Sequence, residues 1–155
     1  MMSLNKISDQ VTVGSAPKDI GDVRELYEKH KINSVLSLQT DIDLQARGIN
    51  KELLEKHYQQ RHMVFKRFPI DDVNPEDTAK KILAPIRYLV EQVKKNNVVY
   101  VHCNAGICRA TSTVLGYLYL HHGMPLEDGL AFIRSKRPIA NPYLSAVREA
   151  LEQTA

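Results

Sequence analysis

The stretch that most restricts this chain is residues 97–111, NVVYVHCNAGICRAT. A β-branched, apolar run passes directly into a glycine-bearing loop and then into an arginine at the start of a helix-forming segment. An unbroken apolar run of this kind reads as a strand buried on both faces, which is the habit of parallel sheets covered by helices. In open α/β sheets, ligands bind where such a strand ends and the next helix begins.

The rest of the chain agrees with that reading. Residues 10–13 alternate like a short edge strand, residues 19–30 carry Ile20, Val23, Leu26 and Tyr27 at helical spacing, and residues 32–38 (INSVLSL) suit a buried strand. A polar link comes next. Asn50 then caps a helix through His57, and residues 63–68 (MVFKRF) alternate as a strand that stops at Pro69. Asn74 with Pro75 is a helix-start pair, and Pro85 inside the stripe Ile82, Ile86, Leu89, Val93 predicts a kink or two helical pieces. Residues 114–120 begin a helix that Gly123 closes, and two shorter helices cover 126–135 and 142–151. The expected fold class is α/β: a single domain over residues 1–155, with a central, mainly parallel sheet flanked by helices.

Composition removes several functions. The 21 Lys and Arg against 18 Asp and Glu leave a net charge of only +3, too small and too dispersed for nucleic-acid binding. No apolar run approaches the roughly 20 residues that cross a bilayer, and residues 1–10 lack a secretory signal's apolar stretch. A cytoplasmic monomer without membrane contact is expected. A chain of 155 residues has a core that needs no staples, so Cys103 and Cys108 are expected as reduced thiols.

A short loop after a strand can turn successive N–H groups toward one anion, and the helix N-terminus adds a positive dipole. Gly106 permits the tight turn, and Arg109 supplies a fork of donors matching two phosphate oxygens. The same field favours an ionised sulfur at Cys103. The C-x5-R spacing is weak by itself; His102 before it, Gly106 within it, and a strand and helix on either side make it specific.

At these residues the chain resembles the cysteine-dependent protein tyrosine phosphatase superfamily, whose signature is HCxxGxxR, and within it the dual-specificity phosphatases. Val13-Gly14-Ser15, residues 38–44 (LQTDIDL), residues 100–106 (YVHCNAG) and Ser135-Lys136-Arg137-Pro138 look most like laforin and the plant-type glucan phosphatases. The resemblance implies that Cys103 is the nucleophile and Arg109 holds the phosphoryl group. Asn104, Ala105, Gly106, Ile107 and Cys108 complete the phosphate cradle with Arg109, and His102 supports the cysteine. The pattern apolar-Pro-apolar-x-Asp at residues 68–72 (FPIDD) puts the general acid on Asp72 rather than its neighbour Asp71. The implied reaction runs through a phosphocysteine, with no metal and no other cofactor.

Some positions depart from the pattern. Ala110 stands where most members have Ser or Thr, with Thr111 one place late, which implies slow breakdown of the intermediate. Cys108 replaces a glycine; a small buried side chain is the simpler reading, a thiol that resolves oxidised Cys103 the sharper one. Ala46, Arg47 and Val73 occupy positions where plant-type glucan phosphatases carry aromatics, and the chain has no Trp. The expected partner is therefore a phosphorylated protein first and a phosphorylated glucan second. Two rival classes are a zinc site built on His102, Cys103, Cys108 and a distant histidine, whose spacing fits no common structural zinc pattern, and a module that binds phosphate without hydrolysis. Asn141 is expected as a helix cap before any role in supporting the loop, and residues 134–137 as a solvated basic face.

Overall fold

A computed structural model describes residues 2–153; residues 1, 154 and 155 of the expected domain lie outside the described residues. Five strands, β1 (Leu4–Lys6), β2 (Val11–Gly14), β3 (Ser34–Ser37), β4 (Val64–Arg67) and β5 (Val99–His102), form one sheet in the order β1-β2-β5-β3-β4. All neighbours are parallel except β1, which runs antiparallel to β2. β5 is central and buried throughout: Val101 lies between Val13 and Leu36, and His102 between Gly14 and Ser37. A strand paired on both edges and covered on both faces has no polar side, hence its continuous apolar run.

Helices cover the two faces. α1 (Ile20–Glu28), α2 (Asp41–Ala46) and α3 (Lys51–Gln60) enclose a core that includes Val23, Leu26, Val35, Leu54, Tyr58 and Tyr100. α4 (Pro75–Lys81), α5 (Leu83–Lys94), α6 (Arg109–His122), α7 (Leu126–Lys136) and α8 (Leu144–Glu152) enclose the other, with Val99, Val101 and Cys103 of the central segment. The two-residue alternation of a strand explains the division: Val99, Val101 and Cys103 face one way and Tyr100 the other. α6 is buried from Arg109 to Leu118 and lies close to α5, because a Cβ at Gly116 would run into the Ile86 side chain.

Local signals place most of these elements. Asp19, Asn50 and Asn74 each accept a hydrogen bond from the third helical N–H of α1, α3 and α4. The break between α4 and α5 falls at Ile82, because Pro85 has no N–H to return to the preceding turn. Three expectations are corrected. Residues 11–14 are not an edge strand; β1, too short to show a pattern, covers that side and is itself the edge. The polar link contains α2, started by a capping box in which Thr40 Oγ1 accepts from Asp43 N and Asp43 Oδ2 accepts from Thr40 N. The helix expected to begin at residue 114 starts at Arg109, directly after the loop.

Candidate active site

The loop between β5 and α6 is shaped from outside. Every carbonyl from Cys103 through Cys108 accepts a hydrogen bond from the surrounding fold. The Cys103 carbonyl takes the His102 ring (3.1 Å), that of Asn104 takes Ala16 N (3.0 Å), and those of Ala105 and Gly106 take Arg137 Nη2 and Nε (3.0 and 2.8 Å). Ile107 O accepts from Asn141 N at 2.7 Å, and Cys108 O from Ser112 N at 2.9 Å. In a trans peptide the N–H of one residue points opposite to the preceding carbonyl, so carbonyls turned outward leave the amides of residues 104–109 turned inward. Gly106 makes the turn at φ 69°, and a Cβ there would collide with the backbone of Gly14.

Arg137 is 1% exposed and spends all three guanidinium nitrogens, the third on Asn5 Oδ1 at 2.9 Å, so the end of the expected basic face is an interior support of the loop. Asn141 likewise supports the loop through its backbone. It caps no helix, since α8 begins at Leu144 and has no side-chain cap.

Arg109 is equally buried. Its Nη1 meets Asp43 Oδ2 at 2.7 Å, Ile70 O at 2.7 Å and Leu38 O at 3.3 Å. Nε and Nη2 are buried and donate to no atom among the described residues. Asp43 is 7% exposed and accepts only from donors: Arg109 Nη1, Thr40 N at 2.8 Å and Asn104 Nδ2 at 2.9 Å. Burial alone would raise its carboxyl, but those hydrogen bonds and the guanidinium charge outweigh it and hold it below the ordinary 3.8. Asp43 is not among the site residues expected from sequence. The usable signal is topological: β3 and β5 are parallel neighbours, so the residues after Ser37 gather beside those after His102.

Asp72 approaches the same guanidinium from a second loop. Its Oδ1 lies 3.4 Å from Arg109 Nε and its Oδ2 3.4 Å from Asn104 Nδ2, with the side chain 44% exposed. Asp71 has no hydrogen bond or ion pair to Arg109 or Asn104 among the described residues, and its backbone N–H donates to Asp77 Oδ2 at 2.8 Å. Val73, directly after Asp72, is 82% exposed and sits at φ 50°, a left-handed conformation unfavourable for a β-branched residue.

His102 is buried, which depresses its imidazole from 6.5 to about 4, so the ring is neutral at physiological pH. Because a carbonyl only accepts, the proton sits on Nδ1, facing Cys103 O. Cys103 is 3% exposed at the strand's end. Cys108 is half-buried and burial pushes its thiol up, against a hydrogen bond from the Tyr143 side chain. The Thr111 hydroxyl donates to Ile107 O at 2.5 Å, within the loop's outer support. The fold thus brings Cys103, Arg109, Asp72, His102 and the loop residues 104–108 together. Among the described residues no group of three or more His, Cys, Asp or Glu is placed to hold a metal ion, and no helix is long and apolar enough to cross a membrane.

A cysteine at the end of the central parallel strand, with an inward-turned loop leading to a buried arginine, defines the cysteine-dependent phosphatase architecture. The chain belongs to the family described as dual specificity phosphatase, catalytic domain, which matches residues 16–153. It is 29% identical over 143 residues to the Arabidopsis thaliana phosphoglucan phosphatase LSF1, chloroplastic, covering 88% of this chain and 24% of that protein. It is 26% identical over 147 residues to laforin of Mus musculus, covering 88% and 44% respectively. The chain thus spans less than half the length of these two relatives. Among solved structures, PTPMT1 has the same fold, with a TM-score of 0.81 at 19% identity over 97% of this chain and 95% of the other. The expected family and the expected α/β class with a mainly parallel sheet are borne out.

Proposed function

We propose that this domain hydrolyses phosphomonoesters of the dual-specificity type through a covalent phosphocysteine, with phosphotyrosine, phosphoserine and phosphothreonine proteins as substrates. The observation that carries the reading is the state of Arg109: one nitrogen is fully committed to the fold, while Nε and Nη2 are buried, charged and without a hydrogen bond among the described residues, Nε having only the 3.4 Å approach of Asp72, beside a loop whose amides face inward. A tetrahedral dianion satisfies all of these donors at once.

In the first step Cys103 Sγ forms a bond to phosphorus as the ester P–O bond breaks, and Asp72 gives its proton to the departing oxygen. In the second, water attacks phosphorus, its proton passes to Asp72, the S–P bond breaks, and phosphate leaves with the thiolate restored. The loop amides and Arg109 stabilise the equatorial oxygens through both steps. With alanine at position 110 and the Thr111 hydroxyl engaged by Ile107, no hydroxyl stands after the arginine to assist departure of the sulfur. The second step is accordingly slow, and a burst of one equivalent of leaving group precedes steady turnover.

The substrate ranking rests on the cleft beside the loop. A cavity of about 360 Å³ abuts Asn104, Ala105 and Ile107, and its walls carry Lys18, Asp22, Arg47 and Ile139. No aromatic ring is among its described lining residues, so it offers a sugar face nothing to stack on. The phosphoglucan reading is favoured by the likeness to LSF1 and ranks second. Phosphate release from phosphotyrosine peptide, phosphothreonine peptide and phosphorylated amylopectin, measured side by side, decides between them. Peptides should be turned over more efficiently, and comparable release from amylopectin would reverse the ranking. Cys103→Ser should abolish turnover of all three, and full activity in that variant would remove the phosphocysteine altogether.

A further inference from the structure

The Asn104 side chain has a role separate from its backbone amide in the loop. Its Oδ1 accepts from Gln39 Nε2 at 2.9 Å, and its Nδ2 donates to Asp43 Oδ1 at 2.9 Å and to Asp72 Oδ2 at 3.4 Å. This arrangement fixes the amide's orientation. Turned over, it would set an oxygen against two carboxylates and an NH2 group against another NH2 group. Gln39 is itself held, 2% exposed, with its backbone N–H on Ser37 Oγ and its carbonyl on Arg67.

Asp72 has few other holds. It lies on an exposed loop next to the strained Val73, and besides that residue's own N–H only Arg109 Nε and Asn104 Nδ2 reach its carboxylate within 3.5 Å among the described residues. Under the function proposed above, Arg109 Nε turns to the phosphoryl oxygens when substrate binds. Apart from the neighbouring Val73 N–H, Asn104 is then the group that remains on Asp72.

We infer that Asn104, one residue beyond the nucleophile, is a positioning residue that tethers the general acid to the phosphate cradle. Oδ1 accepts from Val73 N at 3.0 Å and faces Arg109 Nε, so the Asn104 N–H on Oδ2 is the contact that fixes the other oxygen, and with it the plane of the carboxyl group. When Asp72 gives its proton to the leaving oxygen it becomes a carboxylate, which the same N–H continues to hold. A neutral tether does this without adding a charge that would keep the acid ionised. The 3.4 Å contact is long, as befits a group that must release and regain a proton, whereas the contact to Asp43 is short and structural.

The inference rests on Asp72 being the acid, and the test separates the two ideas. Asn104→Ala and Asp72→Ala are compared on phenyl phosphate, whose phenolate needs protonation, and on 4-nitrophenyl phosphate, whose phenolate needs little. Inhibition by inorganic phosphate reports the cradle alone. General acid catalysis is worth about 10²–10⁴-fold. Asn104→Ala should therefore lose at least about tenfold in kcat on phenyl phosphate and less than about threefold on the nitrophenyl ester, with phosphate inhibition unchanged. In the double variant it should add nothing to Asp72→Ala. Equal loss on both esters, or loss of phosphate inhibition, would show a structural role and overturn the tether. So would full activity on phenyl phosphate. If Asp72→Ala itself fails to discriminate between the esters, the acid assignment fails and the tether with it.

Discussion

Asp43 offers the sharpest test of how the arginine is held. All three of its partners are donors: Arg109 Nη1 and Thr40 N on Oδ2, and Asn104 Nδ2 on Oδ1. In Asp43→Asn the amide must present its NH2 group to one of them. The least costly choice keeps the oxygen toward Arg109 and sets NH2 against Asn104, so the substitution removes the carboxylate's charge and creates a donor–donor conflict. Losing one member of a buried ion pair outright costs about 3–5 kcal/mol, and with one acceptor retained we expect about 2–4 kcal/mol. At about 2–4 °C per kcal/mol for a chain of this size, Tm should fall by roughly 5–15 °C. Guanidinium displacement of even part of an ångström should lower kcat/KM by roughly 10–100-fold. Thermal melts followed by near-UV circular dichroism and steady-state hydrolysis of an aryl phosphate read both effects. The control is Asp41→Asn on the same helix, whose partner Arg67 is 2.8 Å away but whose carboxylate is 76% exposed; it should cost no more than about 1 kcal/mol. Because Asp43 is held below its unfolded value of 3.8, its stabilisation is complete above that pH and is lost as pH falls through the lower folded value. Acid unfolding of Asp43→Asn should therefore be flatter below about pH 4. Wild-type Tm and kcat/KM in Asp43→Asn, or an Asp41→Asn effect of equal size, would refute this account.

His102 is neutral and buried with its folded value near 4, so the unfolded chain gains a proton first as pH falls from 6.5. Stability should drop by on the order of 3 kcal/mol between those values, and urea titrations at pH 7 and 4.5 should show His102→Gln largely free of that drop. Gly106→Ala places a methyl 2.7 Å from Gly14 Cα and forces a positive φ on alanine. It should cost about 1–3 kcal/mol and weaken phosphate inhibition, which chemical unfolding and a phosphate inhibition curve would test. Arg109→Lys should keep the fold and lose the anion, because the three N–H groups of one ammonium are taken by Asp43, Ile70 and Leu38. A melt within a few degrees of wild type together with abolished phosphate inhibition is the expected pair of results.

How much of this is legible in sequence depends on the range of the interaction. β5 can be read because burial on both faces writes an apolar run into the chain. α1, α3 and α4 can be read because Asp19, Asn50 and Asn74 make their caps within three residues. α2 escapes such a reading because it buries little besides Asp43 and Leu44 and leaves Ile42 76% exposed, so no apolar stripe announces it. Strand order is not a local property, and β2 reads as an edge because nothing in LNK marks β1 as a strand. Cys103, Arg109 and the loop are visible as one short segment. Asp43 lies 66 residues from Arg109, and Arg137 lies 31 from Gly106; only the parallel sheet and the packing of α7 bring them to the site.

The two carboxylates that meet Arg109 have environments that push them toward different work. Asp43 is buried, receives three hydrogen bonds of 2.7–2.9 Å, and is held ionised, so it has no proton to give and serves to fix the guanidinium. Asp72 has two contacts at 3.4 Å besides the neighbouring Val73 N–H at 3.0 Å, and its side chain is open to solvent. Two carboxylates with opposed surroundings around one cation support the proposed division into acid and anchor on physical grounds as well as by register. The same cation links them: Nη1 holds the Ile70 carbonyl, two residues before Asp72, so the pair that fixes Arg109 also fixes the base of the loop bearing the acid. A change at Asp43 should therefore be felt at Asp72, whereas a change at the exposed Asp72 should leave Asp43 and the melting temperature undisturbed.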